Sequence, residues 1–188
     1  MALEVFGRYG FRKASMDEIA RSADISRQGL YLHFANKDAL FRAAVRQELD
    51  TALADVDRCL NEDGVGLERR VVAALDAWLG RYVGSMLASD IGNLLQNPAM
   101  QLGDMVEPVI AAFDARLATA IAAAMSENDR RRLGVTPEEI AGALHTVAQG
   151  AKYLSNARAE SREDFVARMT VAVRVVFAGF GAMAKRAP

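Results

Sequence analysis

Apolar residues along this chain recur at the three-to-four spacing of helices, and no stretch alternates apolar with polar over the length of a strand. The pattern predicts an all-α protein, and a composition rich in alanine, leucine, arginine and glutamate agrees with it. Capping signals mark where the helices begin. Ser15-Met16-Asp17-Glu18 reads as a capping box opening a helix at about Met16, and Asn36 can cap a helix beginning at Lys37. Thr136-Pro137-Glu138-Glu139 supplies a cap, a first-turn proline and a carboxylate three residues after the cap. Ser161 followed by Asp164 starts the last helix. Breaks are expected at 61–66, 88–92, 97–98, 131–137 and 157–161, with no internal repeat and no low-complexity segment.

Two helices near the start are short and closely spaced. One, at about 16–23, presents Ile19, Ala20 and Ala23; the next, at about 27–34, presents Leu30 and Phe34, with Ile25 in the turn between them. This is the apolar spacing of a helix-turn-helix, in which small Ala20 lets the two helices cross closely. Asp24 stands where such turns often carry glycine, and aspartate tolerates the left-handed conformation required there.

The remaining chain is more apolar. The last helix carries Phe165, Met169, Ala172, Val173, Val176, Phe177 and Phe180 at helical spacing. The preceding helix carries Ile140, Leu144, Val147, Ala148, Ala151 and Leu154, while Gly142, Ala143 and Gly150 permit close helix approach. Such stripes serve either the core of one chain or a four-helix interface between two copies. A second group is Trp78, Tyr82 and Met86, four residues apart on one face, with Met100, Met105 and Phe113 further along and Tyr153 and Asn156 near the end of the penultimate helix. Methionines and aromatics line adaptable apolar pockets, and they also fill ordinary cores. His145 reads as a core histidine with its polar atoms satisfied.

Composition narrows the chemistry. Of the 188 residues, 52% are hydrophobic and 25% charged, which describes a folded globular chain. No apolar run approaches the ~20 residues needed to span a bilayer, and no signal peptide is visible, so no membrane association is expected. Cys59 is the single cysteine, which rules out an intrachain disulfide and fits a cytoplasmic protein. Together with His33 and His145 it builds no recognisable zinc site, so no metal and no cofactor are expected. No phosphate-binding glycine loop occurs, "GFG" at 179–181 lies within an apolar helix, and Glu138-Glu139 is explained by helix-start electrostatics. The chain does not read as an enzyme. Its charge is uneven: residues 1–48 hold 8 basic and 6 acidic side chains, against 15 and 18 in the remainder. A basic head on an acidic body points toward a polyanionic partner.

The stretch "FGRYGFRKASMDEIARSADISRQGLYLHFANKDALF" (6–41) makes this specific, because it resembles the DNA-binding domain of TetR-family transcriptional regulators. The shared features are a glycine-aromatic pair ending helix 1, a Ser/Thr cap, "IA..A", a short recognition helix with "LY.HF", then "K..L". Measured against that family, Met1-Ala2-Leu3-Glu4 already lie inside helix 1, so the expectation is either a helix 1 shortened at its start or a start placed late in the sequence. The resemblance implies a three-helix, helix-turn-helix DNA-binding domain at 1–48, joined to a helical-bundle domain for ligand binding and dimerisation at 49–188. Residues 49–188 carry no comparable motif.

It also implies roles. Arg27 and Gln28 would sit at the exposed start of the recognition helix, where arginine can bond guanine and glutamine adenine through two parallel hydrogen bonds. Gly29 would allow close backbone approach to DNA or simply tight packing. Tyr31, His33 and Lys37 would meet phosphates, and Ser15 and Ser26 would cap helices whose first amides face them. Ile140, Leu144, Val147, Ala151, Met169, Val173, Val176, Phe177 and Phe180 would form a homodimer interface. Trp78, Tyr82, Met86, Met100, Met105, Phe113, Tyr153 and Asn156 would line a pocket for a small, largely apolar effector. The expected protein is a ligand-responsive repressor, binding a palindromic double-stranded operator as a dimer. The alternative is a helical dimeric interaction module of the same fold that no longer binds DNA.

Overall fold

The boundaries of the helices follow from their caps. The computed structural model describes residues 2–84 and 102–179, and every regular element among them is helical. Ser15 accepts a hydrogen bond from the Glu18 amide, and the Glu18 carboxylate accepts one from the Ser15 amide, so α2 begins at Met16 and runs to Ser22. Asn36 Oδ1 accepts from the Ala39 amide at 2.8 Å and starts the 24-residue helix α4, Lys37–Leu60. Between them α3 spans Arg27–His33, capped by Ser26. The first helix, α1 (Ala2–Lys13), is interrupted at Gly10, whose φ of 74° no other residue type adopts readily.

Helix α5 covers Leu67–Trp78 and is followed by a single 3₁₀ turn at Gly80–Tyr82. Then come α6 (Gly103–Ala124), α7 (Glu127–Leu133), α8 (Pro137–Ala157) and α9 (Arg162–Ala178). The capping boxes expected at Thr136/Glu139 and Ser161/Asp164 are both formed. One was not anticipated: Ser126 and Asp129 make a third box and start α7, a short helix whose last three residues fall in the break expected at 131–137. Such caps contribute ~1 kcal/mol each, and Arg132, donating to the Gly179 carbonyl at 2.6 Å, ties this seven-residue helix, which has no buried residue of its own, to the end of α9.

The chain divides into two compact units, Met1–Thr51 with Ser85–Glu107, and Ala52–Gly84 with Pro108–Pro188. In the first, Phe6, Phe11 and Phe41 pack as an aromatic trio with ring centroids 4.9–5.6 Å apart. Around them Val5, Ile19, Ala20, Leu30, Leu40 and Met105 are buried. Ala20 is nearly inaccessible, as the crossing of α2 and α3 requires. Asp24 adopts φ 54°, the left-handed turn conformation expected of it.

The second unit is built on α5, α8 and α9, with α9 packed against both of the others. Val71, Leu75, Phe113, Leu117, Phe165, Met169 and Val173 are fully buried in it. At ~1.5–3 kcal/mol for each large apolar side chain removed from water, these residues dominate its stability. Gly80 is required by a close approach: a Cβ there would lie 2.8 Å from the Phe165 ring. Arg162 closes the same corner by gripping both carboxylate oxygens of Asp76, at 2.8 and 2.7 Å.

Candidate nucleic-acid interface

Helix α3 is too short to be stable alone and buries one residue fully, Leu30. Its other side chains are held by its cap and its neighbours. Ser26 Oγ accepts the Gly29 amide at 2.9 Å, and a Cβ on Gly29 would lie 3.1 Å from that same oxygen. Tight packing at the cap is therefore sufficient reason for glycine at 29. Arg27, Gln28, Tyr31 and His33 are all exposed, so the first turn of α3 presents a guanidinium and an amide to solvent, with a phenol and an imidazole one turn on.

Arg27 is not loose. Its Nη1 donates to Asp17 Oδ2 at 3.2 Å, its Nε lies 3.1 Å from Asp17 Oδ1, and its guanidinium carbon sits 5.5 Å from the centre of the Tyr31 ring. Asp17 thereby links the first turn of α2 to the first turn of α3. The signal for this was present in the sequence, as opposite charges at the starts of two consecutive helices, but the pairing needs the turn geometry to bring them together.

Lys37 differs from expectation. Its ammonium donates to the carbonyls of Arg12 at 3.2 Å and Ala14 at 2.9 Å, and lies 4.7 Å from the centre of the Phe11 ring. Two of its three N–H groups thus satisfy carbonyls left open at the end of α1, and the side chain ties that end to the start of α4. Its first role is to hold the head together. Ser15 is likewise committed to its capping box, which depresses the Glu18 carboxyl below its ordinary pKa through hydrogen bonds from the Ser15 side chain and amide.

Among the described residues, the expected effector positions have different surroundings. Trp78 and Phe113 stack with centroids 4.7 Å apart and planes 8° from parallel. Tyr82 is half-buried beneath the Lys152 ammonium, whose pKa is lowered by burial. Met105 belongs to the core of the first unit, Tyr153 is 74% exposed, and Asn156 is exposed with its Oδ1 accepting the Gly84 amide. Met86 and Met100 lie outside the described residues. His145 is a satisfied core histidine, as expected: it is buried, accepts from Trp78 Nε1 at 3.3 Å, and approaches Asp114 Oδ1 at 2.7 Å through Nδ1. Because an indole N–H only donates, Nε2 must accept and Nδ1 must carry the proton toward Asp114. Gln149 Nε2, 3.1 Å from the same Nε2, shares that acceptor.

Of the expected interface residues, Ile140, Leu144, Ala151, Met169, Val173 and Phe177 are buried within the single chain, where they pack the second unit. Val176 is half-buried, and Phe180 lies outside the described residues. Of the expected positions Val147 is exposed, and with it on α8 is Leu154; Val171 and Val175 on α9 are 60% and 68% exposed.

An all-helical chain whose short third helix projects polar side chains beyond a helix-turn-helix is, by fold, a helix-turn-helix protein. Residues 1–44 match the model of the family described as bacterial regulatory proteins, tetR family. The chain is 45% identical over 53 residues to the HTH-type transcriptional regulator UidR of Escherichia coli (strain K12), covering 28% of this chain and 27% of that protein. It is 34% identical over 80 residues to the HTH-type transcriptional repressor Rv1474c of Mycobacterium tuberculosis, covering 42% and 41%. The chain thus aligns with less than half the length of these curated relatives. Similarity of fold reaches further: a crystal structure of a transcriptional regulator from Rhodococcus superimposes with a TM-score of 0.70 at 19% identity, over 95% of this chain and 93% of that one. No single helix among the described residues is long and apolar enough to cross a membrane.

Proposed function

We propose that this chain is a DNA-binding transcriptional regulator, a ligand-responsive repressor that acts as a homodimer on a palindromic operator in the cytoplasm and is not an enzyme. The observation that carries the reading is α3, which buries Leu30 and exposes Arg27, Gln28, Tyr31 and His33 inside a segment matching the tetR family. Arg27 and Gln28, at the start of the helix, are suited to read base edges in a major groove. Tyr31 and His33, and the amides behind Ser15 and Ser26, are suited to meet phosphates.

Dimerisation falls to the exposed apolar residues of α8 and α9, Val147, Leu154, Val171 and Val175, rather than to the buried stripes of those helices. Two heads joined in this way would favour half-sites ~34–36 Å apart. The effector, a small and largely apolar molecule acting within the second unit, is supported by likeness to the family.

The test is selection of duplex sequences by the purified wild type and by Arg27→Ala. The wild type should enrich an inverted repeat, and Arg27→Ala should lose ~1–3 kcal/mol of discrimination at one base pair in each half-site. Enrichment of no sequence by the wild type would sink this reading and leave an interaction module that has lost DNA binding.

A further inference from the structure

The geometry points to Asp17 as a specificity-determining residue that acts through Arg27, and this rests on the reading of α3 as a DNA-recognition helix. The pair joins the first turns of α2 and α3, with 48% and 64% of the two side chains exposed. At that exposure an ion pair adds little to fold stability. A carboxylate beside a polyanion is moreover repelled unless a cation neutralises it. Both considerations leave its effect on Arg27 as the physical consequence of placing aspartate here.

That effect is to restrict an otherwise flexible side chain. Asp17 engages Nη1 and Nε from one side, and Tyr31, four residues after Arg27 on the same helix, lies under the guanidinium. Nη2 and the second N–H of Nη1 make no bond to Asp17, and these two nitrogens form the end-on fork that matches the O6 and N7 acceptors of guanine. An arginine released from this hold would reach any nearby phosphate equally well. Asp17 therefore trades general affinity for discrimination: it keeps Arg27 from phosphate and presents it to one base.

The experiment measures binding to the selected operator, to the operator altered at the base pair read by Arg27, and to unrelated duplex, each across a salt series. Wild type, Asp17→Asn, Asp17→Glu, Arg27→Ala and the Asp17→Asn/Arg27→Ala double variant are compared, with circular dichroism to show that each is folded. Asp17→Asn should lower discrimination at that base pair by roughly fivefold or more. It should also steepen the salt slope by about 0.9, the signature of one additional phosphate contact. Asp17→Glu should recover part of the discrimination, and in the Arg27→Ala background Asp17→Asn should leave discrimination at that base pair unchanged, raising affinity equally on every sequence as the bare carboxylate's repulsion is removed. Wild-type discrimination retained in Asp17→Asn, or an equal loss of affinity on every sequence, would overturn the inference while leaving the DNA-binding reading intact. A wild type with no sequence preference would overturn that reading, and this one with it.

Discussion

Helices α3 and α9 use side chains in opposite ways. In α3 a single leucine anchors seven residues, and the exposed side chains are mainly polar, with Leu32 81% exposed among them. In α9 Phe165, Met169, Val173 and Phe177 are all buried, yet Val171 and Val175 are left in solvent. The first helix reveals its role through polar groups that no core would need. In the second, core and exposed face are built from the same valines, and only burial separates them. A recognition surface is easier to identify in a sequence when its chemistry differs from that of the core beneath it.

The largest effect should come from substitutions that test this contrast on α9 itself. Val173→Asp places an unpaired charge in the core of one chain and should cost several kcal/mol, lost as cooperative unfolding in urea at any protein concentration. Val175→Asp, two residues away and exposed, should leave the monomer's melting unchanged and instead shift sedimentation toward the monomer. Equal loss of fold in both variants would erase the distinction between the buried and exposed sides of the helix.

A smaller effect is expected where polar atoms are buried. Trp78→Phe removes one of the two donors to His145 Nε2, leaving Gln149, and the lost hydrogen bond should cost ~0.5–1.5 kcal/mol by denaturant titration, with the ring stack on Phe113 largely retained. In the head, Lys37→Met keeps the aliphatic stem but abandons the Arg12 and Ala14 carbonyls. It should lower the melting temperature of the free protein, and a variant that weakens DNA binding with no change in melting would restore Lys37 to a simple phosphate contact.

The smallest effect is acid sensitivity of the caps. Glu18 and Asp164 have pKa values lowered in the folded chain, chiefly by hydrogen bonds from Ser15 and Ser161. A depressed folded value means the stabilisation is present above the ordinary carboxylate range and is lost as pH falls through the lower, folded value. Helicity should therefore decline at the acid end of that range, and Ser15→Ala should reduce the pH dependence.

The sequence by itself determined the local features, because each depends on residues within one turn of one another. The capping boxes at Ser15, Thr136 and Ser161, the left-handed Asp24, the break at Gly10-Phe11 and the short α3 could all be read from neighbouring residue types. The recognition segment was legible for the same reason. Tertiary structure decided what depends on residues distant in the chain: that Lys37 closes α1, that Asp17 holds Arg27, and that Trp78 stacks on Phe113 and donates to His145. It also decided which apolar residues of α8 and α9 are buried in the chain and which stay exposed. Helical periodicity specifies a face, but the width of that face that a neighbouring helix covers is set by packing, which no single helix encodes.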